Sequence, residues 1–258
     1  MTARAIAAPP ELLVIQHMDR EGPGVIATLA QERGMRMRVL RPDQGDPLPD
    51  PDSCTKAIAL VLGGPMGVNE RHQSGMAWLQ RELDWLSAWH AQQRPVLGIC
   101  LGAQLLAAAA GGSVEPLQVG HPPAPLKEVG FGAIHWWTTP EQEPLLRGLH
   151  PSETVLHWHG DRVQLPKDAT LLGSSLHCAE QVFRIAQHAF GLQCHWELNG
   201  ADLQRWIADD HTYVVSAQGE QGPQALHEQW QLLGAGIERQ GRRLFSNVLD
   251  QLSSLTPD

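Results

Sequence analysis

Cys100 stands where a pattern typical of a buried strand changes into a helical one. The segment Pro95–Ile99 is mostly apolar, and Leu101–Ala110 consists of strong helix formers apart from Gly102. A nucleophile at a sharp strand-to-helix turn is a nucleophile elbow, and small neighbours such as Gly98 and Gly102 permit that turn. Because a helix N-terminus stabilises a thiolate, this position predicts a nucleophilic Cys100. The alternative is a buried structural cysteine before an Ala-rich core helix.

A second group of reactive residue types closes the apolar run Gly191–Cys194, where the sequence continues His195-Trp196-Glu197. Residues two apart on a strand point to the same side, so His195 and Glu197 can share a face. A cysteine, a histidine and a carboxylate that orients the imidazole are the parts of a nucleophilic acyl-transfer triad. For His195 taken alone, a core histidine with satisfied hydrogen bonds is the alternative.

Four ordered segments of the chain resemble those of the class I, or triad, glutamine amidotransferases. They are Leu60–Gly67, Gly98–Gln104, Trp158–Asp161 and Gly191–Glu197. Within that class, Trp158–Asp161, Leu165-Pro166 and Cys178–Arg184 are most similar to stand-alone GMP-synthase-like proteins. The chain departs from the usual pattern at Ala103, where His is frequent, and at Cys194 and Trp196, where Phe and Pro are usual. We expect Trp196 to narrow the substrate pocket.

The resemblance implies an α/β fold with a mostly parallel central sheet flanked by helices, as in flavodoxin. It implies that Cys100 attacks the side-chain amide of glutamine, with His195 as base and Glu197 orienting it. The backbone amides of Gly64 and Leu101 would then form the oxyanion hole. The substrate-binding residues that it implies are Gln104, Gly160 and Asp161.

Two other functions use the same residues differently. A γ-glutamyl peptidase or hydrolase would use the same triad on an amide with a larger leaving group. A non-catalytic interaction module of the same fold would be expected to have lost the triad, whereas Cys100, His195 and Glu197 are all present. The chain shows neither a P-loop nor a Ser-Gly-Gly-x-Asp pattern. We therefore expect any ammonia-accepting synthetase to be a separate chain.

Composition limits the kinds of partner. The 258 residues carry a formal net charge of −9 and are 42% hydrophobic. The absence of a basic block argues against nucleic acid, and the absence of an apolar run of about 18 residues argues against a membrane span. Met1 to Pro10 lacks the apolar core of a signal peptide. Because the nucleophilic thiol must stay reduced, we expect a cytoplasmic protein.

The remaining histidines and cysteines and several tryptophans are interpreted as structural rather than functional residues. His159 is interpreted as a structural residue beside the pocket; the alternative is that His159, rather than His195, is the catalytic base. The histidines lack a tight ligand spacing, so we predict no metal, and the resemblance implies no cofactor. Packing roles are predicted for the remaining cysteines and for three tryptophans on strand-like runs: Cys54, Cys178, Cys194, Trp136, Trp137 and Trp158.

The pattern of elements indicates how these residues are positioned. The first 112 residues read β-α-β, a loop, then β-α-β-α, which favours a parallel sheet with helices on both faces. Residues 114–197 contain short strand-like runs that predict a mixed sheet or a small antiparallel layer. Ala201–Ala217 and Pro223–Leu252 are predicted helices. We interpret 1–258 as one domain, with a catalytic core at 11–199 and a helical C-terminal extension at 200–258.

Overall fold

A nine-stranded mixed sheet forms the centre of the protein in a computed structural model that describes residues 9–257. The sheet order is β2-β1-β3-β4-β13-β12-β11-β8-β9. The main strands are β1 Glu11–Ile15, β2 Met37–Leu40, β3 Ala57–Val61, β4 Val96–Ile99, β8 Glu128–Trp136, β9 Ser152–His159, β11 Ala169–Ser174, β12 Val182–Ile185 and β13 Ala189–Leu192. Two further two-stranded ribbons pair β5 Ser113–Pro116 with β10 Asp161–Gln164 and β6 Gln118–Val119 with β7 Ala124–Pro125.

Helices cover both faces of this sheet. They are α1 Gly24–Glu32, α2 Ala77–Ala91, α3 Leu101–Ala109, α4 Gly200–Asp209, α5 His211–Gln218 and α6 Gly222–Ser253. Along β1, Leu12 and Val14 belong to the core cluster that includes residues of α1 and α6. Leu13 and Ile15 belong to the cluster that includes residues of α2 and α3. This division follows from the alternation of side chains along a strand, and it confirms the predicted α/β sheet.

The two halves of the sheet differ in strand direction. Strands β2, β1, β3, β4 and β13 run parallel. From β13 onward, neighbouring strands are antiparallel. Most of the short strands predicted within 114–197 therefore extend the main sheet. Of the two predicted arrangements, a mixed sheet or a small antiparallel layer, the mixed sheet is the one observed. Only the two ribbons stand apart from it among the described residues.

The C-terminal segment is helical as predicted, but its first helix is interrupted. The predicted helix Ala201–Ala217 is two helices, α4 and α5, which meet at Asp210. The carboxylate of Asp210 accepts hydrogen bonds from Arg20, at 2.5 Å, and from Trp158, at 3.1 Å. These contacts hold the junction of α4 and α5 against the loop after β1 and against β9. Leu244, Phe245 and Val248 of α6 lie in the same core cluster as strands β1 and β3.

The sequence predicts neither a membrane-spanning segment nor a signal peptide, and the structure bears on the first of these. None of the helices formed by residues 9–257 is both long and apolar enough to cross a membrane. The predicted lack of a signal peptide concerns Met1 to Pro10, of which residues 1–8 lie outside the described part of the chain.

Candidate active site

The turn between β4 and α3 holds Cys100 in a strained backbone conformation. Cys100 has φ 52° and ψ −110°, which residues with a side chain rarely adopt. Its amide donates to Leu192 O at 2.7 Å. A Cβ on Gly98 would lie 2.4 Å from Gly102 O, and one on Gly102 would lie 2.0 Å from Val61 O. Both glycines are therefore required for the close approach of strand and helix, and the turn has the geometry of a nucleophile elbow.

His195 lies at the same carboxyl end of the parallel strands as Cys100, because β13 runs parallel to β4 with Leu192 opposite Ile99. The two strands end together, so the residues that follow each of them meet. His195 is fixed by backbone hydrogen bonds to Leu156, at 2.8 Å and 3.2 Å. Its ring packs edge-on against Trp206, with the ring centroids 4.8 Å apart. The imidazole is thus held by both backbone and packing.

Glu197 orients this imidazole. Its Oε1 accepts from Nδ1 of His195 at 2.6 Å, and its Oε2 accepts from the amide of Trp196 at 3.0 Å. The carbonyl of Glu197 accepts from the amide of Val25, at the start of α1, at 2.8 Å. Within residues 9–257, Nε2 of His195 has no hydrogen-bond partner. One nitrogen is therefore fixed and the other remains available for proton transfer.

The charge state of His195 follows from its surroundings. Burial lowers the pKa of His195, but the Glu197 carboxylate and Cys100 raise it, and the net pKa lies well above its ordinary value. A protonated imidazole stabilises a thiolate at Cys100. His195 can thus supply a positive charge to the Cys100 sulfur.

These residues open onto a pocket of about 430 Å³. Except for Glu197, which lies behind His195, every residue predicted for the site lines this pocket: Cys100, His195, Gly64, Leu101, Gln104, Gly160 and Asp161. Nε2 of Gln104 donates to Gln193 at 3.1 Å. Burial raises the pKa of the half-buried Asp161.

The backbone amides of Gly64 and Leu101 lie beside Cys100. Residues 9–257 offer no hydrogen-bond acceptor to either amide. A Cβ on Gly64 would lie 3.1 Å from Cδ2 of Leu101, so the two residues are in close contact. Two unpaired N–H groups beside a nucleophile can stabilise an oxyanion.

Several pocket residues were not predicted from the sequence. Arg20 and Glu21 follow β1, while Asp210 and Tyr213 come from the C-terminal helices. Burial raises the pKa of Glu21, although His195 and Arg20 oppose this. The signal that could have found Arg20 and Glu21 is their place after the carboxyl end of a parallel strand, where ligand sites of such sheets lie.

His159 lines the pocket and belongs to a buried network of hydrogen bonds. Its Nδ1 bonds Asp161 O at 2.9 Å, and its Nε2 bonds Oε2 of Glu128 at 3.0 Å. Glu128, His157 and His159 bring one potential metal-ligand atom each to within 4.8 Å of one another, and they are the residues that could hold a metal. Gln181 donates to Glu128 at 2.8 Å and lies 3.0 Å from Nε2 of His159, so this amide already occupies the space between them.

Two predictions about tryptophans are wrong. Trp196 does not narrow the pocket, because it alternates with His195 and Glu197 and points to the opposite side. It is fully buried and stacks on Trp136, with the ring centroids 6.0 Å apart. Trp137 is not a core residue, since it is 70% exposed, and its indole N–H donates to Ser174 at 2.7 Å. The three remaining cysteines, Cys54, Cys178 and Cys194, are free and buried.

Comparison with known proteins places the chain in a family. The family model "Glutamine amidotransferase class-I" matches residues 24–211. The glutamine amidotransferase-like protein YfeJ of Salmonella typhimurium is 28% identical over 210 residues, which cover 80% of this chain and 83% of that protein. One subunit of the glutamine-hydrolyzing GMP synthase of Methanoculleus marisnigri is 36% identical over 124 residues, or 47% of this chain and 62% of that subunit.

Solved structures resemble the fold over nearly its full length. A glutamine amidotransferase from Thermotoga maritima has a TM-score of 0.79 and 25% identity, covering 95% of this chain and 98% of that one. A glutamine amidotransferase from Methylobacillus flagellatus has a TM-score of 0.80 and 24% identity, covering 94% and 95%. The second likeness concerns the fold alone.

Proposed function

Because the chain belongs to the class I glutamine amidotransferase family, we propose that it hydrolyses the side-chain amide of glutamine with a Cys100–His195–Glu197 triad. The main support for this proposal is the hydrogen bonding of the two ring nitrogens of His195. Its Nδ1 is held at 2.6 Å by Glu197, and its Nε2 is free of partners within residues 9–257, at the pocket that Cys100 also lines.

The reaction proceeds through a thioester. The Cys100 thiolate attacks the amide carbon, and the carbonyl oxygen takes up the electron pair of the π bond. When the carbonyl re-forms, the C–N bond breaks, and protonated His195 gives its Nε2 proton to the departing ammonia. Neutral His195 then removes a proton from water, which attacks the thioester and releases glutamate and the thiolate.

Charged groups of both signs suit the amino-acid end of the substrate. Arg20 and Lys127 line the pocket as cations, and Asp161 and Glu70 line it as carboxylates. A zwitterionic amino acid needs a partner for its carboxylate and another for its ammonium group. In the proposed mode, Gln104, Gly160 and Asp161 contribute to holding this end, and the amides of Gly64 and Leu101 receive the oxyanion.

The fate of the ammonia is a separate proposal. About half of this chain matches a protein whose name describes one subunit of a glutamine-hydrolyzing GMP synthase. We propose that a separate synthetase chain accepts the ammonia, and that the protein acts in the cytoplasm, where Cys100 stays reduced. No cofactor is needed for the hydrolysis.

The pocket favours one second candidate, a γ-glutamyl hydrolase with the same triad. Beyond the nucleophile the pocket continues to Pro125, Leu126 and Tyr213, and its volume of about 430 Å³ lies in the range of small-molecule sites. A leaving group larger than ammonia therefore has space.

Glutamate release by the purified chain tests both candidates. Glutamine and a panel of γ-glutamyl dipeptides are compared for wild type and for Cys100→Ala, with Cys54→Ala as a matched control because both cysteines are buried to the same extent. We expect turnover by wild type and by Cys54→Ala, and none by Cys100→Ala. Faster turnover of dipeptides than of glutamine would favour the hydrolase. Full activity of Cys100→Ala, or no turnover of any γ-glutamyl amide, would contradict the proposed function.

A further inference from the structure

A second histidine–carboxylate pair lies directly beneath the loop that follows β3. His17 and Glu82 are 2% and 0% exposed, and Glu82 projects from α2 into the protein interior. Nε2 of His17 lies 2.9 Å and 3.0 Å from the two carboxylate oxygens of Glu82. Glutamate is almost never fully buried without a partner, and burying an ion pair is costly. This pair therefore needs an explanation beyond packing.

The other ring nitrogen of His17 supplies that explanation. Nδ1 lies 2.9 Å from the carbonyl oxygen of Gly63. A carbonyl only accepts, so Nδ1 of His17 donates to Gly63 O; with Glu82 ionised, Nε2 donates as well and the imidazole carries two protons. Burial lowers the pKa of His17, but Glu82 raises it by charge and hydrogen bonding, and the net pKa is raised.

The carbonyl of Gly63 and the amide of Gly64 belong to one planar peptide unit. In a trans peptide the C=O and N–H groups point in opposite directions, so fixing one fixes the other. The N–H of this unit is the Gly64 amide, which has no acceptor among residues 9–257 and lies at the pocket beside Leu101.

Glycine on both sides makes this peptide unit easy to rotate. Neither Gly63 nor Gly64 has a Cβ to restrict its backbone, so a flip of the unit between them meets little steric resistance. A Cβ on either glycine would be crowded, because on Gly63 it would lie 2.1 Å from Oε2 of Glu21 and on Gly64 it would lie 3.1 Å from Cβ of His17. The restraint must therefore come from a hydrogen bond.

We propose that His17, charged and held by Glu82, is a positioning residue that pins the Gly63–Gly64 peptide with its N–H directed at the oxyanion of the reaction. The proposal rests on the proposed function, in which Gly64 supplies an oxyanion-hole donor. It assigns the buried pair to the stabilisation of the transition state, whereas His195 and Glu197 act on the nucleophile.

Two probes of Cys100 separate these roles without requiring the natural substrate. Acylation by p-nitrophenyl acetate forms a tetrahedral oxyanion, whereas alkylation by iodoacetamide displaces iodide and forms none. Both rates are measured at Cys100 by mass spectrometry, with Cys100→Ala giving the background. An effect on acylation alone then reports the oxyanion hole.

The matched variants are His17→Phe and His17→Asn, which both lose the pair with Glu82. The Asn side chain places an N–H group near the position of Nδ1, whereas Phe fills the ring volume without a donor. We expect His17→Phe to slow acylation about 10²-fold, as for the loss of one oxyanion-hole donor. Alkylation should stay near the wild-type rate, and His17→Asn should recover most of the acylation rate. His188→Ala, at the opposite end of β4, serves as a control that leaves both rates unchanged.

Three results would overturn the proposal: equal acylation rates for the Phe and Asn variants, a parallel loss of alkylation, or no acylation of wild type above background. If wild type shows the expected pattern but does not hydrolyse glutamine or any γ-glutamyl amide, the proposed function fails while the role of His17 stands. If neither variant folds, 15N spectra of the wild-type chain decide. Two protonated ring nitrogens on His17 at about pH 7.5 support the proposal, and one overturns it.

Discussion

The pairs His195–Glu197 and His17–Glu82 are built from the same groups and differ in what the second ring nitrogen of the histidine contacts. Both imidazoles are buried, both lie within 3 Å of a buried carboxylate, and both have a raised pKa. His17 uses its second nitrogen to hold Gly63 O, whereas Nε2 of His195 has no partner within residues 9–257. A histidine with both nitrogens engaged holds a structure in place, and one with a free nitrogen at a pocket can move a proton.

The largest effect that separates the two pairs is expected for His195→Ala. Removing the group that accepts and returns the proton should lower kcat for the amide about 10⁴-fold. Alkylation of Cys100 by iodoacetamide should also slow, because the thiolate loses its cation. His17→Phe, in contrast, should slow acylation only. Steady-state kinetics and alkylation rates check this, and unchanged alkylation in His195→Ala would remove the distinction between the pairs.

Loss of the carboxylate from the structural pair should affect stability. In Glu82→Leu the charged His17 is left buried without its partner, and we expect the free energy of unfolding to fall by about 3–5 kcal/mol. Urea denaturation measures this. Asp84→Leu on the exposed side of the same helix is the control, expected to change the free energy of unfolding by about 0.5 kcal/mol or less. Equal stability of the two variants would contradict the ion pair.

Loss of the carboxylate from the catalytic pair should mainly affect rate. Glu197→Gln keeps the shape of the side chain but removes the charge that raises the pKa of His195. A lower pKa leaves less imidazolium at neutral pH, so both kcat and alkylation at Cys100 should fall, kcat by about 10²-fold. Kinetics across pH test this: the loss should be smaller at low pH, where His195 regains its proton. A loss that is the same at every pH would argue for a purely structural Glu197.

The smallest effect concerns His157, a buried histidine without a hydrogen-bond partner within residues 9–257. Burial lowers its pKa from 6.5 to about 4. The folded state therefore favours the neutral ring, and this contribution is complete above about pH 6.5 and is lost as the pH falls toward 4. Between pH 8 and pH 5 this group should account for a loss of about 2 kcal/mol of stability.

His157→Phe should remove that share of the pH dependence. The free energy of unfolding is measured by urea denaturation at both pH values, with the exposed His72→Phe as control. A pH dependence in His157→Phe as steep as in wild type would show that His157 is not the group responsible.

The parts of the fold and site that sequence reasoning predicted depend on local patterns. The strand–Cys100–helix turn and the alternation of His195 with Glu197 are readable within a few residues. A core position was also predicted for both Trp136 and Trp137, but neighbours on a strand point to opposite faces, and Trp137 is 70% exposed.

The features of the fold and site that were not predicted from the sequence depend on contacts between distant segments. His17 and Glu82 are 65 residues apart, and Arg20 and Asp210 are 190 apart. In each pair, the local sequence around one residue does not indicate which distant residue it contacts. The break between α4 and α5 was also missed; at that break, Asp210 contacts the distant residues Arg20 and Trp158.

In the proposed reaction, Cys100 carries the acyl group of a γ-glutamyl amide between attack and hydrolysis. This intermediate can be trapped by rapid acid quenching of the purified chain with saturating glutamine or a γ-glutamyl dipeptide, followed by peptide mass spectrometry. We predict a γ-glutamyl thioester on Cys100 that is absent from Cys100→Ala and accumulates less in His195→Ala. Release of glutamate with no adduct on Cys100, or with the adduct on another residue, would contradict it.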